Sequence, residues 1–143
     1  MSKQIAVVLV AMAALAVAAQ TAPAARQDTM KPQLVKTIVD KKLGRVMTTP
    51  GKRAIYVWNK EPKGKIRCTA ACAKAWPPVI VKTGVVVPMH VSGIKGDFGT
   101  IRRANGSRQL TFNKRPLYTY AHEKPGQVLC NDVDDWFAVK VRA

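Results

Sequence analysis

The chain has 143 residues, with 24 Lys plus Arg against 8 Asp plus Glu, a formal charge of +16. That length suits one compact domain and is too short for two of ordinary size. So positive a field disfavours cationic partners and attracts anions; outside a cytoplasm these are phospholipid head groups, acidic wall polymers, lipopolysaccharide and extracellular nucleic acid, the last bound only non-specifically.

The chain opens with one Lys, an apolar run from Ile5 to Ala19 and then small residues. About 15 apolar residues is short for a membrane span of roughly 20, and the pattern predicts a secretory signal over residues 1–19, cut after Ala18 or Ala19, with Ala24 as a later site. A retained N-terminal anchor is the alternative. No later apolar run is long enough to span a membrane, so none is expected once the signal is gone. Residues 20–36, "QTAPAARQDTMKPQLVK", are polar and aperiodic with two prolines, which predicts a flexible leader before a domain over 37–143. From Lys31 to Arg67 only Asp40 and Glu61 offset a dense run of basic residues, in tracts that alternate Lys with apolar side chains.

Strand signals begin at Gly44. "GRVMTT", a Pro50-Gly51 turn and "RAIYVWN" read as a hairpin, with Tyr56 and Trp58 on one face and Ile55 and Val57 on the other. "CTAACAKAW" is rich in Ala, has Thr69 near its start and stops at Pro77-Pro78, which predicts one short helix near Cys68–Trp76. "PPVIVK" reads as a strand and residues 83–97 as a loop. A strand then runs to Arg103, followed by an Asn105-Gly106 turn, "QLTF", a turn at Asn113-Lys114, "LYTYA" and finally "WFAVKV". The expected fold is mainly β, with α+β as the alternative: a small single domain of two related β-hairpin repeats, at about 44–81 and about 99–141.

The repeats announce themselves as "IYVWNKEPKG" at 55–64 and "LYTYAHEKPG" at 117–126: Tyr56, Trp58, Glu61 and Gly64 share offsets with Tyr118, Tyr120, Glu123 and Gly126. With the Cys-x3-Cys-x3-Trp-Pro-Pro run and "QLTFNKRPLYTYAHEKPG", the chain from about Gly44 to Val141 resembles a bacterial family of secreted or lipid-anchored proteins described by a Tyr-x-(Phe/Trp/Tyr)-x-x-Asp motif, a secreted repeat of unknown function. The resemblance implies a secreted envelope protein with tandem repeats and no established activity. Glu61 and Glu123 stand where the family has Asp, keeping the charge and changing its reach. The lipid-bearing Cys of many relatives is missing, which predicts a secreted or periplasmic protein without a lipid anchor. Cys130 departs from the family pattern.

Cys68 and Cys72 are one helical turn apart, which places their α-carbons about 6 Å from each other, within disulfide range. In an exported protein a Cys68–Cys72 bridge is the default. Cys130 falls in the register of Cys68, while Asp134 holds that of Cys72. Cys130 is then a free or intermolecular thiol, unless it bridges to one of the other two across a loop of about 60 residues, a closure that stabilises by ~4 kcal/mol. A sharper alternative is a copper or thiol-redox site using Cys68 and Cys72 with Met89, His90 or His122. The main expectation carries no cofactor and no metal.

Tyr56, Trp58, Tyr118 and Tyr120 cover a sheet face, or alternatively present paired rings to a stacking ligand within a fringe of Lys60, Lys63, Arg115 and Lys124. Glu61 and Glu123 are expected to pair with these cations or accept turn amides, in preference to acting as an acid and a base. Asp132, Asp134 and Asp135 lack the spacing of a calcium loop and read as a turn near lysines. No phosphate loop, nucleophile elbow or metal-spaced pair of helical histidines occurs, so no catalytic residue is assigned. The expected function is a non-enzymatic envelope module associating with anionic surface polymers or membrane; the alternative is copper-handling or thiol-redox chemistry.

Overall fold

The computed structural model describes residues 33–142, so the expected signal at 1–19, and the leader up to residue 32, lie outside the described residues. Among the described residues the fold is mainly β, with eight short strands and one helical turn: β1 Lys36–Asp40, β2 Gly44–Thr48, β3 Tyr56–Trp58, α1 Ala71–Ala75, β4 Ile80–Val81, β5 Phe98–Arg102, β6 Arg108–Phe112, β7 Arg115–Pro116 and β8 Trp136–Ala138. Val35 is already buried and β1 opens at Lys36, so packed structure takes in the last residues of the segment read as leader.

β1 and β2 form an antiparallel hairpin whose reversal is tied by the Asp40 carboxylate, which accepts the amides of Lys42 and Leu43 at 2.9 Å each. At Pro50-Gly51 the chain turns back, with Thr49 and Arg53 closing the turn and the Ile55 amide reaching the Met47 carbonyl at 3.0 Å, but the expected hairpin of "GRVMTT" with "RAIYVWN" does not extend into a ladder: β2 pairs with β1 and β3 pairs with β8. β5 and β6 form the hairpin foreseen at Asn105-Gly106, where Gly106 takes the positive φ the turn requires. β6 pairs with β4 and with β7, and the two-residue turn into β7 places Asn113 and Lys114 at φ 50° and 65°.

Other expected elements also differ: "PPVIVK" contributes only β4 and "WFAVKV" only β8 as regular strand. "LYTYA" does not form a regular strand; its amides turn to several partners, Leu117 to Leu110, Tyr118 to Tyr56 and Thr119 to Pro77, and Tyr118 bridges Tyr56 on one side and Pro78 on the other. The helix is shorter than its sequence pattern. It has no side-chain cap, and Thr69 contributes its carbonyl, which accepts from Cys72 and Ala73.

Strand alternation builds two cores. Ile55 and Val57 enter one with Met47, Leu110, Leu117 and Val139; Tyr56 enters the other with Val46, Tyr118, Trp136 and Ala138. The split within "AIYVW" is the one the alternation predicts. β3 lies between the cores, paired with β8 in the register Tyr56↔Ala138. One strand from each half thus forms this central ladder.

Candidate functional site

The repeated motif sits where the halves meet. The Tyr56 amide donates to the Tyr118 carbonyl at 2.8 Å, and the Tyr118 amide returns to the Tyr56 carbonyl at 3.0 Å. Two residues at equivalent positions that exchange both bonds mark a local pseudo-twofold axis, and the surrounding contacts obey it. The Gly64 amide reaches Lys114 at 2.7 Å and the Gly126 amide reaches Lys52 at 2.8 Å. Arg115 donates to the Trp58 carbonyl, and Arg53 to that of Tyr120.

The motif acids are exchanged across the same axis. The Tyr118 hydroxyl donates to Glu61 Oε1 at 2.8 Å, and the Tyr56 hydroxyl donates to Glu123 Oε1. Each carboxylate also gathers amides from its own repeat: Arg67 and Cys68 at 2.6 and 3.1 Å on Glu61, Leu129 at 2.6 Å on Glu123. Both glutamates are 3% exposed and both tyrosines 0%. Burial, then the glutamate partner, pushes each phenol's pKa upward, so both hold their protons well past the usual tyrosine range. Turn amides do bind these acids. The expected ion pairs with Lys60, Lys63, Arg115 and Lys124 do not form, because the carboxylates point inward; Lys60 pairs instead with Asp135 at 3.0 Å.

The aromatic rings follow the same symmetry. Trp76 and Trp136 stack with centroids 3.9 Å apart and planes 8° from parallel. Tyr56 meets Trp76 edge-on at 5.3 Å and Tyr118 meets Trp136 edge-on at 5.2 Å; outside them lie Tyr120 on Trp76 and Trp58 on Trp136. Trp76 and Trp136 are equivalent although the second half is two residues shorter between its cysteine and its tryptophan. Strict offsets miss that pair; the recurrence of one Trp shortly after the equivalent cysteine in each half, "CTAACAKAW" and "CNDVDDW", is the signal that finds it.

Cys68 and Cys72 are joined by a disulfide with α-carbons 5.1 Å apart, and Cys130 is a free, buried thiol whose pKa burial pushes up. The proposed copper set is not assembled. Two of its ligands are tied up as a disulfide, His90 lies 3.4 Å from Asp97 on an exposed loop, and His122 packs edge-on to Tyr120. Among the described residues no group of three or more His, Cys, Asp or Glu is placed to hold a metal ion. Asp132, Asp134 and Asp135 all have positive φ and form a turn whose carbonyls accept from the Trp58 indole and the Asn59 amide.

The main surface depressions are lined by none of the motif aromatics or glutamates: one runs beside Arg115, Asn131 and Lys140, another between Leu34, Ile80 and Val85, and a third, beside Lys41 and Leu129, takes in only Gly126 of the motif. Each buried glutamate accepts its bonds on Oε1, while each Oε2 is buried without a partner; the pair interlocks the two halves and does not line one of these depressions.

Residues 99–140 match the family described as a secreted repeat of unknown function, the family read from the motif. No curated protein and no solved structure matches the chain. The matched segment is the second repeat, carrying Tyr118, Tyr120 and Glu123. Among the described residues no helix is long and apolar enough to cross a membrane.

Proposed function

We propose that a chain whose second half is a secreted repeat acts as an exported, non-enzymatic module, held by its positive surface to anionic polymers or phospholipid head groups of the cell envelope. The observation that carries this reading is unneutralised charge. Against 24 basic residues the chain has 8 acids, and among the described residues a single Lys–carboxylate pair forms, Lys60–Asp135. Glu61 and Glu123 are withdrawn from the surface altogether, and the Asp40 carboxylate is engaged by its own turn amides. Among the described residues most lysines therefore face solvent without a matching anion, while Arg53, Arg103, Arg108 and Arg115 are half-buried on carbonyl oxygens, and a polyanion gains from each exposed contact by releasing its own condensed counterions.

The test is co-sedimentation of the signal-free protein with vesicles of phosphatidylglycerol, vesicles of phosphatidylcholine, and insoluble anionic wall polymer, across a series of salt concentrations. Binding to the anionic supports alone, with affinity falling linearly on a log–log plot against salt, is expected. Indifference to all anionic supports at low salt would refute the reading.

A further inference from the structure

All three tyrosines and all three tryptophans of the chain belong to one core: Tyr56, Trp76, Tyr118 and Trp136 are buried in it, and Trp58 and Tyr120 pack against it half-buried. All three phenylalanines belong to the other core, Phe98 and Phe112 within it and Phe137 against it. Apolar burial does not demand this sorting, since Phe and Trp both fill cores. What the sorting separates is rings that give up an electron readily from rings that do not.

The oxidisable rings are also continuous. From the half-buried Trp58 the path runs to Trp136 at 5.5 Å, to Trp76 at 3.9 Å and to Tyr56 at 5.3 Å between centroids; from the half-buried Tyr120 it enters at Trp76 over 4.8 Å. Each path ends at a phenol whose hydroxyl already donates to a buried carboxylate, Tyr56 to Glu123 and Tyr118 to Glu61.

We propose that this core is a one-electron relay, which takes oxidising equivalents from peroxyl radicals at the half-exposed rings and stores them on the buried tyrosines. The peroxyl radical removes one electron from the Trp58 indole and, with a proton from solvent, leaves as a hydroperoxide. The vacancy passes through Trp136 and Trp76. Tyr56 fills it with one electron as its phenolic proton moves to Glu123 Oε1, leaving a neutral tyrosyl radical beside a protonated carboxyl; Tyr118 and Glu61 do the same on the other side of the axis. One electron and one proton leave the tyrosine, and one electron and one proton reduce the oxidant. The carboxylate is necessary because a phenol radical cation in so dry a site is too costly to form without a proton acceptor in place. Burial also keeps both phenols protonated, so proton and electron must leave together.

The test uses the signal-free protein and a photogenerated ruthenium(III) polypyridyl as the one-electron oxidant, read by transient absorption and by electron paramagnetic resonance. A tryptophan radical that decays into a tyrosyl radical is expected, with the second step slower in deuterated buffer. Tyr120→Phe, which leaves only the two buried tyrosines, is expected to retain the tyrosyl signal. Glu61→Gln with Glu123→Gln is expected to lower its yield about tenfold or more while the tryptophan radical lives longer. A wild-type protein that accumulates tryptophan radicals and never a tyrosyl radical overturns the relay, and that result does not depend on any variant folding. Loss of the signal in Tyr120→Phe, or an unchanged yield in a folded double Gln variant, overturns it as well.

Discussion

Raising the pH from about 8 to about 12 is expected to destabilise this protein through its two innermost phenols. In an unfolded chain a tyrosine loses its proton near pH ~10. In the fold Tyr56 and Tyr118 are 0% exposed, and burial reinforced by Glu123 and Glu61 raises the pKa of each. The native state therefore keeps two protons that the unfolded state gives up. Their contribution is complete below pH ~10 and is lost as the pH climbs from there toward the folded values. Each proton difference is worth about 1.4 kcal/mol per pH unit, so the pair removes about 2.7 kcal/mol of stability per unit above pH ~10. Against a total of about 5–15 kcal/mol for an ordinary domain, one or two units is a large fraction. Urea unfolding followed by tryptophan fluorescence at stepped pH measures the slope. Tyr118→Phe and Tyr56→Phe are each expected to lower it by about 1.4 kcal/mol per unit, and comparison with wild type in the same buffers cancels the lysines. If Tyr118→Phe leaves the alkaline slope unchanged, Tyr118 ionises within the native state and the buried phenol–carboxylate account fails.

Glu61→Ala strands the Tyr118 hydroxyl and the amides of Arg67 and Cys68, and at about 1–3 kcal/mol per buried donor it is expected to cost about 3 kcal/mol or more in urea unfolding. Glu61→Gln, which keeps an Oε1 acceptor, is expected to cost less than Glu61→Ala; equal losses would mean the side-chain oxygen is not what matters. Reducing Cys68–Cys72, which closes a five-residue loop, is expected to lower stability by about 2 kcal/mol, and thiol alkylation before any reduction should label Cys130 alone, and only on unfolding, by mass spectrometry. A fragment of residues 99–142 is expected to show no cooperative thermal transition by circular dichroism, because β8 loses β3 and Tyr118 loses Glu61; a sharp melt from that fragment would refute the interlock.

The interlock bears on what the repeat is. A family match confined to residues 99–140 invites the picture of an autonomous bead, yet the structure makes each half the completion of the other. The Tyr of one repeat satisfies the acid of the other, the Arg before each motif satisfies a carbonyl of the other, and the stack at Trp76 and Trp136 lies between them. Each of Glu61 and Glu123 meets turn amides of its own repeat and a phenol from across the axis.

Much of this was local enough to read from the residues in order. Period-two alternation separated Tyr56 and Trp58 from Ile55 and Val57 because a strand's side chains must point to opposite faces. Asn105-Gly106 declared its turn because glycine takes the positive φ that the reversal needs, and the four-residue spacing of Cys68 and Cys72 declared a bridge because one helical turn brings their α-carbons within range. The excess of positive charge is a property of the sequence alone. What no local signal specified was the exchange of partners: whether Glu61 meets a lysine at the surface or Tyr118 beneath it depends on how two halves separated by 62 positions dock. That docking follows from burying two aromatic faces against each other, an energy that belongs to neither half until both are folded. Only the tertiary structure, by placing β3 against β8 and Tyr56 against Tyr118, turned a repeated phrase into a pair of crossed hydrogen bonds.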